Sequence, residues 1–168
     1  CNPRVVFGTA TAKDHIYNTP RAWYMYRQLN PVEAADSTPE SDDIPWCLEP
    51  EHAVTVEDVD FLLGSHFEGT PYDPYGTQGT EESRHRYRPI GINRTGHMVA
   101  IQIRPYAPVE SRSIMWISYG SGAFTTSAPF YANVDDTPAY LRDTTPEVST
   151  DCLYWTNRLI ATLADAHF

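Results

Sequence analysis

The sequence predicts an α+β domain organised around an antiparallel pair of strands. Met98 to Arg104 alternates in polarity and places Val99, Ile101 and Ile103 on one face, while Ser113 to Tyr119 is apolar on both faces. Two prolines between these segments interrupt regular structure, so a turn is expected to join the strands. Helical patterns near both ends of the chain supply the α component.

Composition supports one globular domain spanning residues 1–168, with 41% hydrophobic and 20% charged residues. Twelve Lys and Arg against 22 Asp and Glu give a formal charge of −10, which argues against a nucleic-acid partner. No apolar run approaches the roughly 18–20 residues needed to cross a bilayer, so we expect a soluble chain without a membrane partner. The cysteine spacing leaves the compartment open, with the cytoplasm favoured.

The N-terminal part predicts a strand followed by a helix. Apolar residues and then small residues over 4–12 are typical of a short buried strand. Thr19 suits an N-cap, Pro20 suits the first helical position, and Pro31 forbids continuation, which together predict a helix over 20–30.

An acidic segment and a second helix follow. Residues 32–53 show no periodicity and are expected to form a solvated loop. Thr55 and Asp58 have the spacing of a capping box and predict the start of a helix that Gly69 would end. His66 falls on the apolar stripe of that helix, and we interpret it as a hydrogen-bonded core histidine rather than a metal ligand.

Residues 69–76 combine turn residues with aromatic ones, which is typical of a structural corner or of a pocket wall. Further along, 128–134 predicts a third strand. The last element is a helix with Thr150 or Asp151 as its cap, followed by apolar residues at helical spacing from Cys152 onward.

Most common site patterns are absent, since the sequence lacks metal-ligand spacing, a phosphate-binding glycine loop and a serine nucleophile elbow. Two polar residues remain candidates. Asn18 precedes a helix, where an amide beside free backbone N–H groups can hold an oxyanion, although a simple turn asparagine is the alternative. Arg94 precedes a strand and is placed to orient a carboxylate or a nucleophile, unless it is only a surface arginine.

Four motifs in register resemble the cysteine dipeptidase family typified by bacterial dipeptidase A. They are GTATAKDHIYNTPRAWY at 8–24, EGTPYDPYG at 68–76, YRPIGINRT at 87–95 and the YW-x-NRL helix at 154–159. Together they extend the resemblance over essentially the whole chain.

This resemblance implies an N-terminal-nucleophile hydrolase, with a four-layer αββα sandwich of which this chain would form a section. It also implies that dipeptides are cleaved by an N-terminal cysteine released by autoprocessing, with the free α-amino group as the base. No metal or organic cofactor is implied.

The resemblance also assigns site residues. Asn18 resembles the oxyanion asparagine of the related penicillin V acylases and bile salt hydrolases. Arg94 resembles the arginine near the nucleophile, with Arg88 as the second choice. Apart from the resemblance, the aromatic turn at 69–76 leads us to expect that Tyr72 and Tyr75 wall the pocket.

Cys1 is tempting as the nucleophile because mature family members begin with cysteine. We predict that it is not, because Asn2, Pro3 and Arg4 replace the expected Asp-Gly-Ser turn and Asn18 follows too soon. The chain is therefore expected to be an internal fragment of a longer hydrolase.

Two alternatives stay open. One is a linear-amide acyl hydrolase of the penicillin V acylase or bile salt hydrolase type, and the other is a non-catalytic interaction module. A missing strand would expose a sheet edge and an apolar face, so we also expect the chain to form homo-oligomers.

Overall fold

The computed structural model describes residues 3–120 and 122–167. Within them it contains seven α-helices: α1 (Pro3–Phe7), α2 (Asp14–Tyr17), α3 (Thr19–Leu29), α4 (Val56–Gly64), α5 (Glu81–Arg84), α6 (Ala139–Arg142) and α7 (Leu153–Asp165). The same residues contain three strands: β1 (His97–Ile103), β2 (Ser113–Tyr119) and β3 (Ala128–Tyr131). None of the helices in this part of the chain is long and apolar enough to cross a membrane.

The strands form an antiparallel sheet in the order β1-β2-β3. Ile101 lies opposite Met115, and Trp116 lies opposite Pro129. The mixed α and β architecture and the central strand pair are thus confirmed. Strand β3 is shorter than predicted because the chain turns after Tyr131, whose carbonyl accepts a hydrogen bond from the Val134 amide at 3.4 Å.

The described residues fall into two compact units. One comprises residues up to 55 together with 66–90, and the other comprises 56–65 together with the residues from 91 onward. Aromatic rings form much of the core of the first unit. Tyr24, which is fully buried, packs edge-on against Trp23 on one side and against the buried Phe67 on the other. This cluster anchors α3 to the loop that follows residue 65.

Two predictions for the first unit are wrong. The segment predicted as a strand over 4–12 begins with α1, because an apolar run this short has no decisive periodicity and Pro3 fits a first helical turn. Thr19 is the first residue of α3 rather than its cap. Asn18 occupies the cap position in a helical conformation, so α2 leads almost directly into α3.

The second helix also ends earlier than predicted, at Gly64 instead of Gly69. A β-carbon on Gly64 would lie 2.7 Å from the carbonyl carbon of Gly122, so glycine is required where the end of α4 meets the turn after β2. His66 therefore lies in a loop and not on a helical stripe. Its expected hydrogen bond is confirmed, since Nδ1 lies 2.7 Å from Asp73 Oδ1.

Helix α7 packs on β2 in the second unit. Its cap position is occupied by Cys152, without a side-chain capping bond, so the predicted caps Thr150 and Asp151 are wrong. The predicted apolar stripe is only partly buried, because Asn157 is enclosed whereas Ile160 and Leu163 are exposed. The Asn157 amide donates to the carbonyl of Thr126, just before β3, at 3.4 Å, so a polar contact helps to hold this helix.

The two faces of the sheet differ in burial. Ile114 and Ser118 on one face are buried. The opposite face carries Val99, Ile101 and Ile103, which share one side as predicted, yet all three are exposed. An apolar sheet face of this kind normally packs against another layer.

Candidate active site

Asn18 lies at the junction of α2 and α3. Its backbone N–H donates to the Asp14 carbonyl at 2.9 Å, and its own carbonyl accepts from the Ala22 amide at 3.2 Å, so the junction is held on both sides. The side-chain Nδ2 donates to Asp14 Oδ1 at 2.6 Å. The second N–H of this amide has no hydrogen-bond partner among the described residues, and the side chain is exposed. A fixed, outward amide donor of this kind can hold a developing oxyanion.

Asp14 is the residue that fixes the Asn18 amide, and it is not among the site residues predicted from the sequence. Its Oδ2 accepts hydrogen bonds from the Thr9 hydroxyl at 2.6 Å, the Thr11 hydroxyl at 2.7 Å and the Thr11 amide at 2.9 Å. These donors, led by Thr9 and Thr11, together with the Asn18 amide, hold the pKa of the Asp14 carboxyl well below its usual range. The sequence feature that could have identified Asp14 is its four-residue spacing from Asn18, which places both side chains on one helical face.

The low pKa of Asp14 gives a stability prediction. A carboxylate whose pKa is lower in the folded than in the unfolded chain stabilises the fold above the ordinary Asp pKa of about 3.9, and this contribution is lost as the pH falls further. Asp14→Asn should therefore reduce the dependence of the unfolding free energy on pH below about pH 4. Urea titrations between about pH 2 and pH 7 measure this slope.

The matched control is Asp135→Asn, which alters an exposed aspartate that makes no hydrogen bond with a described residue. It should leave the acid slope nearly unchanged. An acid slope for Asp14→Asn equal to that of the unmodified chain would contradict the prediction.

Arg88 lies against the same junction. Its backbone N–H donates to the Ile16 carbonyl of α2 at 3.1 Å. Its guanidinium carbon lies 5.5 Å from the centre of the Tyr17 ring, the residue before Asn18. The structure therefore brings the second-choice arginine against Tyr17, the residue before the candidate oxyanion asparagine, although the two segments are far apart in the sequence.

Arg94 belongs to the second unit, in a turn that precedes β1. The Thr95 amide closes this turn on the Ile92 carbonyl at 3.0 Å. The Arg94 side chain is exposed and makes no hydrogen bond or ion pair with a described residue. Next to it, Asn93 lines a surface groove of about 200 Å³ together with Arg158. A free guanidinium remains available to a substrate or a nucleophile.

Tyr72 and Tyr75 are half-buried in the loop after residue 65. The Tyr72 ring centre lies 4.9 Å from that of Tyr87, and the Tyr75 ring meets the His66 ring edge-on at 4.9 Å. The Tyr75 amide also donates to Asp73 Oδ1 at 2.9 Å. Through these contacts both tyrosines help to hold the conformation of the loop. Their contact with substrate stays a prediction.

The cysteines differ in accessibility. Cys47 is exposed and Cys152 is buried, and both are free thiols. Cys1, the tempting nucleophile, lies outside the described residues. Across residues 3–120 and 122–167, no three His, Cys, Asp or Glu side chains are grouped as a metal ion would require.

Comparison with known proteins gives a consistent result. The sequence profile of peptidase family C69 matches residues 1–168. A protein named "Dipeptidase" from Bifidobacterium longum is 54% identical over 173 residues, which cover 99% of this chain and 32% of that protein. "Probable dipeptidase A" from Streptococcus pyogenes serotype M18 is 50% identical over 167 residues, covering 99% of this chain and 35% of that protein.

A third relative, "Dipeptidase A" from Lactobacillus helveticus, is 38% identical over 167 residues, again covering 99% of this chain and 35% of its own length. The chain thus spans about a third of the length of the curated relatives it matches. The family resemblance drawn from the four motifs is confirmed.

Proposed function

This chain belongs to peptidase family C69, and we propose that it forms a section of a longer enzyme that hydrolyses dipeptides. The observation that carries the proposal is the 54% identity to a protein named dipeptidase over 99% of the chain. The matched span covers 99% of the chain and therefore includes the segments that carry the four motifs.

In the proposed reaction, a cysteine thiolate attacks the scissile carbonyl carbon, and the π electron pair of the C=O bond moves to the carbonyl oxygen. The free N–H of Asn18 stabilises that oxyanion. The α-amino group accepts the thiol proton as the thiolate forms, and collapse of the intermediate breaks the C–N bond while the departing amine takes that proton from the α-ammonium. Water then hydrolyses the thioester, which releases the first amino acid and regenerates the cysteine thiol. We assign the nucleophile to another section of the protein, since Cys1 is not followed by the Asp-Gly-Ser turn, Cys47 lies in the acidic loop and Cys152 is buried.

Other residues of this chain would position the reactants. Arg94 orients the nucleophile or the substrate, with Arg88 as the second candidate. Support for Arg94 is that its guanidinium has no hydrogen-bond or ion-pair partner among the described residues. Support for Arg88 is its position over the ring of Tyr17, the residue before Asn18. Tyr72 and Tyr75 would form a wall of the substrate pocket.

The fold of the whole enzyme is proposed to be the αββα sandwich of N-terminal-nucleophile hydrolases. The exposed apolar face of Val99, Ile101 and Ile103 supports this, because a second sheet packed on it would bury these side chains. The same face would drive homo-oligomer formation by the isolated 168-residue chain.

The test compares the full-length protein with the isolated chain on a panel of dipeptides, penicillin V and a conjugated bile acid. We expect the full-length protein to hydrolyse dipeptides and the isolated chain to show no turnover. Hydrolysis restricted to penicillin V or the bile acid would replace the proposal by an acyl hydrolase. No turnover of any substrate by the full-length protein would favour a non-catalytic module, and dipeptide turnover by the isolated chain would overturn its assignment as a section.

A further inference from the structure

Three cationic side chains lie close together near the start of α3 in the first unit. The Lys13 ammonium lies 5.8 Å and the Arg88 guanidinium carbon 5.5 Å from the centre of the Tyr17 ring. Arg21, on the first turn of α3, donates from Nε to the Arg88 carbonyl at 3.3 Å. The chain thus concentrates positive charge at the junction that carries Asn18.

Lys13, Arg21 and Arg88 form no ion pair with a carboxylate of a described residue. The ion pairs in this part of the chain are made by other basic side chains, namely His15, His66, Arg86 and Arg142. Asp14 lies in the same segment, but its oxygens accept from Thr9, Thr11 and Asn18.

Burial, and then the charge of Arg88, lower the pKa of the Arg21 guanidinium. Unpaired cations close together, in a chain with a formal charge of −10, form a site that an anion would stabilise.

We propose that Arg21 and Arg88, with Lys13 at the rim, bind the free α-carboxylate of the dipeptide substrate. This inference rests on the proposed dipeptidase function. A guanidinium offers paired N–H donors that match a carboxylate, and Lys13 adds a point charge. The site would then select peptides by their terminal carboxylate.

The spacing fits a dipeptide. Asn18 has helical backbone angles and Arg21 follows three residues later, so their β-carbons are expected about 5–6 Å apart on one face. In a dipeptide the carboxylate follows the scissile carbonyl by one residue, or about 3.5 Å of extended chain. With its carbonyl oxygen on the Asn18 amide, a dipeptide therefore extends its carboxylate toward Arg21 and Arg88. A tripeptide would carry its carboxylate one residue beyond them.

The experiment uses the full-length protein and two matched substrates, alanyl-leucine and its C-terminal carboxamide. For the unmodified protein we expect kcat/KM to be about 10- to 100-fold higher for the free acid, because a charge-assisted hydrogen-bonded pair is lost with the amide. Arg21→Gln and Arg88→Gln should each lower kcat/KM for the acid by about tenfold or more, mainly through KM, and change the carboxamide little. Arg21→Lys and Arg88→Lys should restore part of the preference.

The matched control is Arg27→Gln, which alters an arginine of the same helix that stacks on Trp23 at 5.5 Å. It should retain the preference for the acid. Equal kcat/KM values for the acid and the carboxamide in the unmodified protein would refute the proposed carboxylate site. This test does not depend on whether any variant folds. An equal loss on both substrates in the glutamine variants, without recovery in the lysine variants, would show a structural role only.

A binding measurement separates this inference from the proposed function. Calorimetry with the reduced-bond analogue of alanyl-leucine and its carboxamide requires no turnover. Binding that depends on the carboxylate and on Arg21 and Arg88 would support the site even if the protein hydrolysed no dipeptide. Dipeptide hydrolysis with equal binding of both analogues would leave the proposed function standing and refute the carboxylate site.

Discussion

Replacement of Asn18 by alanine in the full-length enzyme is expected to lower kcat for dipeptides by about 10²- to 10³-fold, the usual cost of removing one oxyanion donor. The structure supplies the physical reason. One amide N–H of Asn18 is held by the Asp14 carboxylate at 2.6 Å, and the other has no partner among the described residues. Because the donor is fixed before the reaction, it stabilises charge that develops in the transition state more than it stabilises bound substrate. KM should therefore change much less than kcat.

Steady-state kinetics on one dipeptide, with thermal unfolding of each variant, measure this effect. The matched control is Asn133→Ala, which alters an exposed asparagine after β3 that makes no hydrogen bond with a described residue. It should retain full activity. A folded Asn18→Ala enzyme with kcat within about twofold of the unmodified value would refute the oxyanion role, since a lost donor costs far more.

Ile101→Ala should destabilise the full-length protein by about 2–5 kcal/mol, as for a buried isoleucine, if a second sheet covers the apolar face. In the isolated chain Ile101 is 72% exposed, and the same substitution should change the unfolding free energy by no more than about 0.5 kcal/mol. Urea unfolding of both proteins measures the two losses.

The control is Ile114→Ala, at a side chain that is only 3% exposed on the opposite face, which should destabilise both proteins similarly. Sedimentation of the isolated chain over a concentration series measures its association through the exposed face. The urea experiment is then carried out at concentrations where the chain is monomeric. Equal, small losses for Ile101→Ala in both proteins would contradict the sandwich.

Much of the secondary structure could be predicted from local pattern. The bounds of β2 were predicted as Ser113 to Tyr119 and observed there, because a run apolar on both faces has clear ends. Helix α3 was predicted to within a residue or so, since prolines delimit it at both ends. The segment 4–12 could not be assigned in this way, because a few apolar residues satisfy a strand and a helical turn equally well.

For the candidate site, the sequence by itself determined the family, through motifs that need no structure, and singled out Asn18 and Arg94. Only the tertiary structure decided that Arg88 lies over the Tyr17 ring beside Asn18, because backbone hydrogen bonding between distant segments sets that placement.

The same holds for the Asp14 network and for the sheet. Helical spacing places Asp14 and Asn18 on one face, but the threonine donors reach the carboxylate only through the path of the loop before α2. Alternation with a period of two assigns Ile101 and its neighbours to one side of a strand. Whether that side is buried depends on which layer packs against it, which is a property of the assembled fold and not of local sequence.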